Sequence, residues 1–213
     1  LEQMKGGRPP FSYKPVRSCF DDIFNVQPSL DFGFAEPTPW HTIELRLRGY
    51  SKSEIEFESN KLVAKGLHEF AISSGTLARK HDFFPFQMGV GRRVSYWLPM
   101  IVGIDGQSFA VFIEPRRSRG LNAQGRRFAF SMMHERIRAA DEDFADVGLA
   151  VIQFSEPSED FRAVRIFKDV GVDLYSMTEL ETMVADTYDM WREVLEDRQQ
   201  ETRSKVHAIG SLI

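Results

Sequence analysis

The chain of 213 residues has a single cysteine, Cys19. One thiol excludes an intramolecular disulfide framework and a zinc site built from several cysteines, and it suits a reducing compartment. The histidines at 41, 68, 81, 134 and 207 are scattered, and no two stand at the spacing of a helical metal pair. No serine occupies a nucleophile elbow and no Walker-type loop is present, so neither chemistry has its sequence signature here. No apolar run approaches the roughly 20 residues that span a bilayer. The opening Leu1-Glu2-Gln3-Met4 carries no secretory apolar segment. These absences lead to the expectation of a cytoplasmic protein with no membrane contact and no cofactor.

What is present is enough for a core: 42% of residues are apolar and 27% charged, which rules out a globally disordered chain. The net charge of −4 is unevenly spread. Residues 1–78 carry −1, residues 79–138 carry +7 and residues 139–213 carry −10. Two readings follow. Either the basic middle faces a polyanion, or the two blocks neutralise each other within the fold.

Residues 1–40 hold Pro9, Pro10, Pro15, Pro28, Pro37 and Pro39, which forbid a long helix. Phe11, Tyr13, Phe20, Phe24, Phe32, Phe34 and Trp40 make the stretch too apolar for a plain disordered tail. It reads as an arm lying on a surface, of its own domain or of a partner. His41 to Arg48 alternates apolar and polar residues, which predicts a half-buried strand. Ser53 opens a helical pattern that ends near Ser73-Ser74-Gly75, and Glu54, Glu56 and Glu58 suit the positive end of its dipole. A short aromatic strand is expected over residues 79–88, and Gly89-Val90-Gly91 reads as a turn.

The strongest local signal lies between residues 95 and 114. Two apolar runs flank Asp105-Gly106, the sequence of a type I′ hairpin turn, whose central residues both need φ > 0. Ser95–Ile104 and Gln107–Glu114 are therefore expected as adjacent antiparallel strands, buried on both faces. A helix is expected from Leu121 to Ala140, and a buried strand from Asp146 to Phe154. A short helix over Asp160–Lys168 would be capped by Ser158. Ser176-Met177-Thr178-Glu179 has capping-box form, and the helix behind it carries Leu180, Met183, Val184, Trp191, Val194 and Leu195 along one face, of which Leu180, Met183, Val184, Trp191 and Leu195 are expected to be buried against the core or another chain.

This order of elements resembles the PD-(D/E)xK nuclease fold, and within it the TnsA-like transposon endonucleases, over roughly residues 50–154. Phe57-Glu58-Ser59 matches the family's entry to its first helix, Arg79–Gln87 loosely matches its next strand, and Asp105-Gly106 and Pro115 match its hairpin and strand end. The resemblance implies an α/β fold, with a restriction-endonuclease-like central mixed sheet flanked by helices. An N-terminal arm (1–40), the core (41–155) and an acidic helical extension (156–213) complete the chain.

The resemblance also implies where metal-binding carboxylates and a lysine would stand. Leu98 occupies the position of the family's Asp, Phe112 that of its Glu and Glu114 that of its Lys; only Glu58 keeps its type. Sliding the register to make Glu114 the catalytic Glu leaves Arg116 in place of Lys. Hydrocarbon cannot hold Mg²⁺, so the expectation is a non-catalytic, nuclease-like protein that binds DNA or a protein partner in a mobile-element or phage-like system. Arg116, Arg117, Arg119, Arg126 and Arg127 are its candidate nucleic-acid contacts. Two alternatives stand beside it. One is an active Mg²⁺-dependent endonuclease with a migrated set, Glu58 with Glu114 and Asp105. The other is an interaction module whose C-terminal helix docks a protein partner or a second copy.

Overall fold

The Asp105-Gly106 turn has the backbone its sequence demands: in a computed structural model, φ is 51° at Asp105 and 76° at Gly106. The structure describes residues 11–27, 36–81, 100–116, 120–156 and 160–200, with backbone alone at 86–87, 93–94 and 201–210. The helices are α1 (Lys14–Arg17), α2 (Phe20–Ile23), α3 (Trp40–Tyr50), α4 (Glu54–Ser73), α5 (Ala123–Met133) and α6 (Met177–Gly210). The strands are β1 (Leu77–Lys80), β2 (Phe86–Gln87), β3 (Arg93–Val94), β4 (Met100–Ile104), β5 (Gln107–Ile113), β6 (Gly148–Phe154) and β7 (Val164–Lys168).

A five-stranded mixed sheet runs in the order β1-β4-β5-β6-β7. β4 and β5 form the expected antiparallel hairpin, with Ile104 opposite Gln107. β5 and β6 are parallel and joined through α5, while β6 and β7 are antiparallel. β2 and β3 pair with each other in a separate ribbon. The α/β class, with a central mixed sheet flanked by helices and a long C-terminal helix, is as expected. The Gly89–Gly91 turn, Ser158 and the Ser95–Pro99 part of the hairpin lie outside the described residues.

Both faces of the hairpin are covered, which accounts for its unbroken apolar runs. Val102, Ile104, Phe109 and Val111 pack with Phe57, Val63 and Leu67 of α4, with Ile43 and Leu47 of α3 and with Phe20 and Ile23 of α2. Ala110, Leu149 and Val151 pack on the other side with Phe130 and Met133 of α5 and with Ile137. Ser53 caps α4 by accepting the amide of Glu56 at 3.2 Å. Gly75, at φ 56°, turns the chain out of that helix.

Two local expectations are overturned. His41–Arg48 is helical, within α3, not a strand. Ile43 and Leu47 are buried at helical spacing, and Leu45, which completed the alternating pattern, is 70% exposed. Asp160–Lys168 holds no helix; its second half is β7, where Val164 and Ile166 cover the core and Arg165 faces out, the period of a strand. The sheet therefore extends past residue 155. The capping box at Ser176 forms as expected, with the Ser176 amide on the Glu179 carboxylate at 2.8 Å and the Glu179 amide on Ser176 Oγ at 3.4 Å. The stripe behind it is buried at Leu180 and Val194, but Trp191 is 51% exposed. Leu180 packs on Met132 of α5, and Tyr188, Met190 and Trp191 stand in solvent farther along α6. No described helix is long and apolar enough to cross a membrane.

Candidate functional site

The arm from residue 11 to 27 is built into the domain by two polar side chains of α4. The Asn60 amide, fully buried, accepts the backbone N–H of Val16 at 3.0 Å and donates to the carbonyl of Ser12 at 2.8 Å. Glu56 accepts the amide of Lys52 at 2.7 Å and both the amide and hydroxyl of Ser12 at 3.0 Å. These donors, the Lys52 amide foremost, hold its carboxyl below the usual value. Val16, Cys19, Phe20, Ile23 and Phe24 then fill the core. Burial, with Asp22 adding to it, pushes the Cys19 thiol up to about 11, so little thiolate forms at neutral pH.

After α2 the chain turns at Asn25, where φ is 49°, and bonds to the edge of the sheet. Val26 bridges Ala78 of β1, and the Gln27 amide donates to the Ala78 carbonyl at 2.9 Å. The chain is fixed again at Thr38. Its hydroxyl meets Asp22 at 3.2 Å, and its carbonyl meets His68 Nε2 at 3.0 Å. The stretch between these anchors begins Gln27-Pro28-Ser29-Leu30-Asp31-Phe32-Gly33-Phe34. Residues 28–35 lie outside the described residues. Their sequence places an apolar side chain at every second position, Leu30, Phe32 and Phe34, between Pro28 and Pro37.

A second feature lies where the parallel strands β5 and β6 end. Arg116, Arg126 and Arg165 line a cleft of about 310 Å³ there, with Gln153 and Phe167. Arg126 donates through one terminal nitrogen to the Leu121 carbonyl at 3.0 Å and to Gln153 at 3.2 Å, and its guanidinium lies 4.0 Å over the Phe167 ring. The wall is held by Arg162, which is 3% exposed. Its guanidinium donates to the carbonyls of Pro115 at 2.7 Å, Ser155 at 3.1 Å and Arg116 at 3.3 Å. Sequence reasoning missed Arg162, because a lone arginine gives no signal of its carbonyl partners.

The residues singled out from sequence fall in several places. Arg116 and Arg126 meet in the cleft. Arg127 turns away, to Asp173 at 2.8 Å and over the Tyr175 ring at 3.8 Å. Arg117, Arg119 and Leu98 lie outside the described residues. Glu114 is buried, and both its oxygens are taken by Arg116: Oε1 by the amide at 3.0 Å and by Nε at 2.7 Å, Oε2 by the terminal nitrogen. That bond raises the Arg116 pKa. Phe112 stays within β5, and Glu58 is exposed on α4. Asp105 precedes β5 and Glu114 follows it, which separates them by roughly 25 Å at the rise of a strand. The migrated set Glu58, Glu114 and Asp105 is therefore not brought together. Among the described residues no group of three or more His, Cys, Asp or Glu side chains could hold a metal ion.

Comparison with known proteins places the chain elsewhere than the TnsA-like endonucleases. A family model described as sliding clamp-binding bacterial toxin SocB matches residues 1–201. The DNA replication inhibitor toxin SocB of Caulobacter vibrioides (strain NA1000 / CB15N) is 38% identical over 205 residues, covering 95% of this chain and 84% of that protein. No solved structure matches. The match overturns both the transposon-endonuclease assignment and the function drawn from it, a nuclease-like component of a mobile element. The likeness to nucleases rested on element order and a few short motifs, and neither fixes a protein's chemistry. With its match running through arm, sheet and most of α6, the chain belongs to the SocB family.

Proposed function

We propose that this chain is a toxin that binds the DNA sliding clamp and inhibits DNA replication inside the cell, and that the stretch Gln27–Phe34 makes the contact. The observation that carries the reading is the family match over residues 1–201, which includes this stretch. Bound as an extended peptide, Leu30, Phe32 and Phe34 would point to one side, since alternate residues share a face. Peptide docking of this kind uses pockets for alternate side chains, and a few large apolar or aromatic anchors carry most of the affinity. The anchors at Gln27 and Thr38 present the stretch from a fixed base, and Pro28 and Pro37 narrow its conformations. Both effects reduce the ordering cost of binding. Occupying the clamp would then exclude replication proteins that need the same surface.

The test is titration of the full-length protein against purified clamp, followed by primer extension on clamp-loaded DNA. Leu30→Ala with Phe32→Ala removes two anchors of about 2 kcal/mol each, so affinity should fall on the order of a thousandfold. The melting temperature should hold, and inhibition of extension should disappear. A double variant that binds like the wild type moves the interface elsewhere, with the exposed Tyr188–Trp191 face of α6 as the next surface to mutate. A wild-type protein that does not bind the clamp ends the reading.

A further inference from the structure

The cleft at the ends of β5 and β6 has no part in the clamp reading. We propose that it is a phosphate-binding site, built to take the phosphate group of a nucleic-acid backbone or of a free nucleotide. Three elements supply its guanidiniums: Arg116 from the end of β5, Arg126 from α5 and Arg165 from β7. Among the described residues no carboxylate lines it. Glu114 stands behind Arg116 and neutralises that one cation; among the described residues no ion pair cancels Arg126 or Arg165. Arg126 uses one terminal nitrogen for its protein bonds, so its other terminal nitrogen and Nε keep donors for a ligand. Arg165 is exposed, and its guanidinium stands 5.8 Å from the Phe167 ring that Arg126 covers.

Two features of the fold favour an anion at this place. The cleft lies outside the carboxyl ends of two parallel strands, where open α/β sheets bind ligands. It also borders the start of α5, whose cap is Asn122 accepting from Gly125 at 2.8 Å, the positive end of a helix dipole. Guanidinium forks match the spacing of phosphate oxygens, and bidentate contacts are the strong ones. At about 310 Å³ the cleft exceeds what one oxyanion needs and accommodates a nucleotide-sized unit. Gln153 holds Arg126 at the back wall, since its oxygen accepts from that guanidinium and its nitrogen donates to the Leu121 carbonyl at 3.0 Å.

The experiment uses the full-length protein without clamp and three probes: inorganic phosphate, deoxyadenosine monophosphate and a fluorescein-labelled DNA duplex. Thermal shift reads the first two, and anisotropy across a salt series reads the third. Arg165→Glu should lower affinity for the responding probe at least tenfold, and Arg165→Lys should restore most of it. Arg126→Gln, with its fold checked by circular dichroism, should lose a similar factor. If the duplex responds, each arginine lost should flatten the slope of log K against log salt by about 0.9. Response to the monophosphate or to phosphate alone, with the same ranking of variants, assigns the site to a free phosphate ligand. The proposal is overturned if wild type responds to none of the three, or if Arg165→Glu responds as wild type does.

Discussion

Gly66 is the point at which α4 touches the loop that fixes the cleft wall. A Cβ at this position would sit 1.9 Å from the carbonyl oxygen of Arg162 and 3.0 Å from its carbon. Both are backbone atoms, so neither can rotate away. The Arg162 amide donates to the Leu62 carbonyl at 3.1 Å, so loop and helix are in direct register. Gly66→Ala must separate them by more than 1 Å to reach ordinary van der Waals distance, roughly 3.3 Å. Overpacking of this kind costs about 1–3 kcal/mol. Loosening the Leu62 bond and the Arg162 contacts with Pro115, Ser155 and Arg116 adds about 1–2 kcal/mol. Alanine recovers about 0.5–1 kcal/mol over glycine within a helix. The balance is a loss of about 2.5 kcal/mol, or roughly 5–10 °C in melting temperature for a chain of this size. Gly49 in α3 is the control, because no atom of the described residues lies within 4 Å of its added Cβ. Gly49→Ala should stabilise by up to about 1 kcal/mol. Urea denaturation of the two variants therefore gives opposite signs. A Gly66→Ala protein as stable as Gly49→Ala would mean that the close approach is not a constraint in the folded state.

Acidification should act through Glu56. Its carboxyl is held below the usual value by the Lys52 amide and by Ser12, so its contribution is present above the ordinary carboxylate pKa and is lost as pH falls through the lowered one. Glu56→Gln should be less stable than wild type at neutral pH, with the gap closing below about pH 4; parallel stability curves would remove Glu56 from the account. Trp191, 51% exposed on α6, should emit at long wavelength and be quenched by iodide in the dilute protein. A blue-shifted, protected Trp191 would show this face covered by another copy.

The hairpin and α4 were legible because their signals are local. Asp105-Gly106 dictates its own backbone, and Ser53 with the acidic turn behind it marks a helix start whatever packs on it. α3 and β7 were misread for one reason: each is too short for its period to outvote its neighbours. In residues 41–48 the alternation Ile43, Leu45, Leu47 contains the helical pair Ile43 and Leu47, and only the exposure of Leu45 decides between the two. In residues 160–168 the capping residue type of Ser158 outweighed Val164 and Ile166, which share one face of a strand. The arm was legible as proline-punctuated and aromatic. Its division into a packed half, held by Asn60 and Glu56, and a stretch between Gln27 and Thr38 was not, because both halves are equally apolar and only long-range polar bonds separate them.

The nuclease resemblance went wrong at Glu114. Element order correctly anticipated a mixed sheet with a carboxylate at the end of its central strand. A carboxylate at that position takes its chemistry from its neighbours, however, and here the neighbour is a guanidinium two residues on that occupies both oxygens. An ion there would have to displace Arg116, whose charge also opposes a cation. The same pair turns Arg116 toward the cleft that it shares with Arg126 and Arg165, while Arg162 behind it fixes the strand ends through their carbonyls. A strand end that would be cation-seeking with Glu114 alone thus becomes anion-seeking. The basic block at residues 79–138 contributes to that reversal through Arg116 and Arg126. Arg127 and Arg138, from the same block, instead pair with Asp173 and Asp169 of the acidic end. The reading in which the two charge blocks neutralise each other holds for Arg127 and Arg138, which have a carboxylate of the C-terminal part within reach; the polyanion reading rests on the phosphate site proposed at Arg116, Arg126 and Arg165.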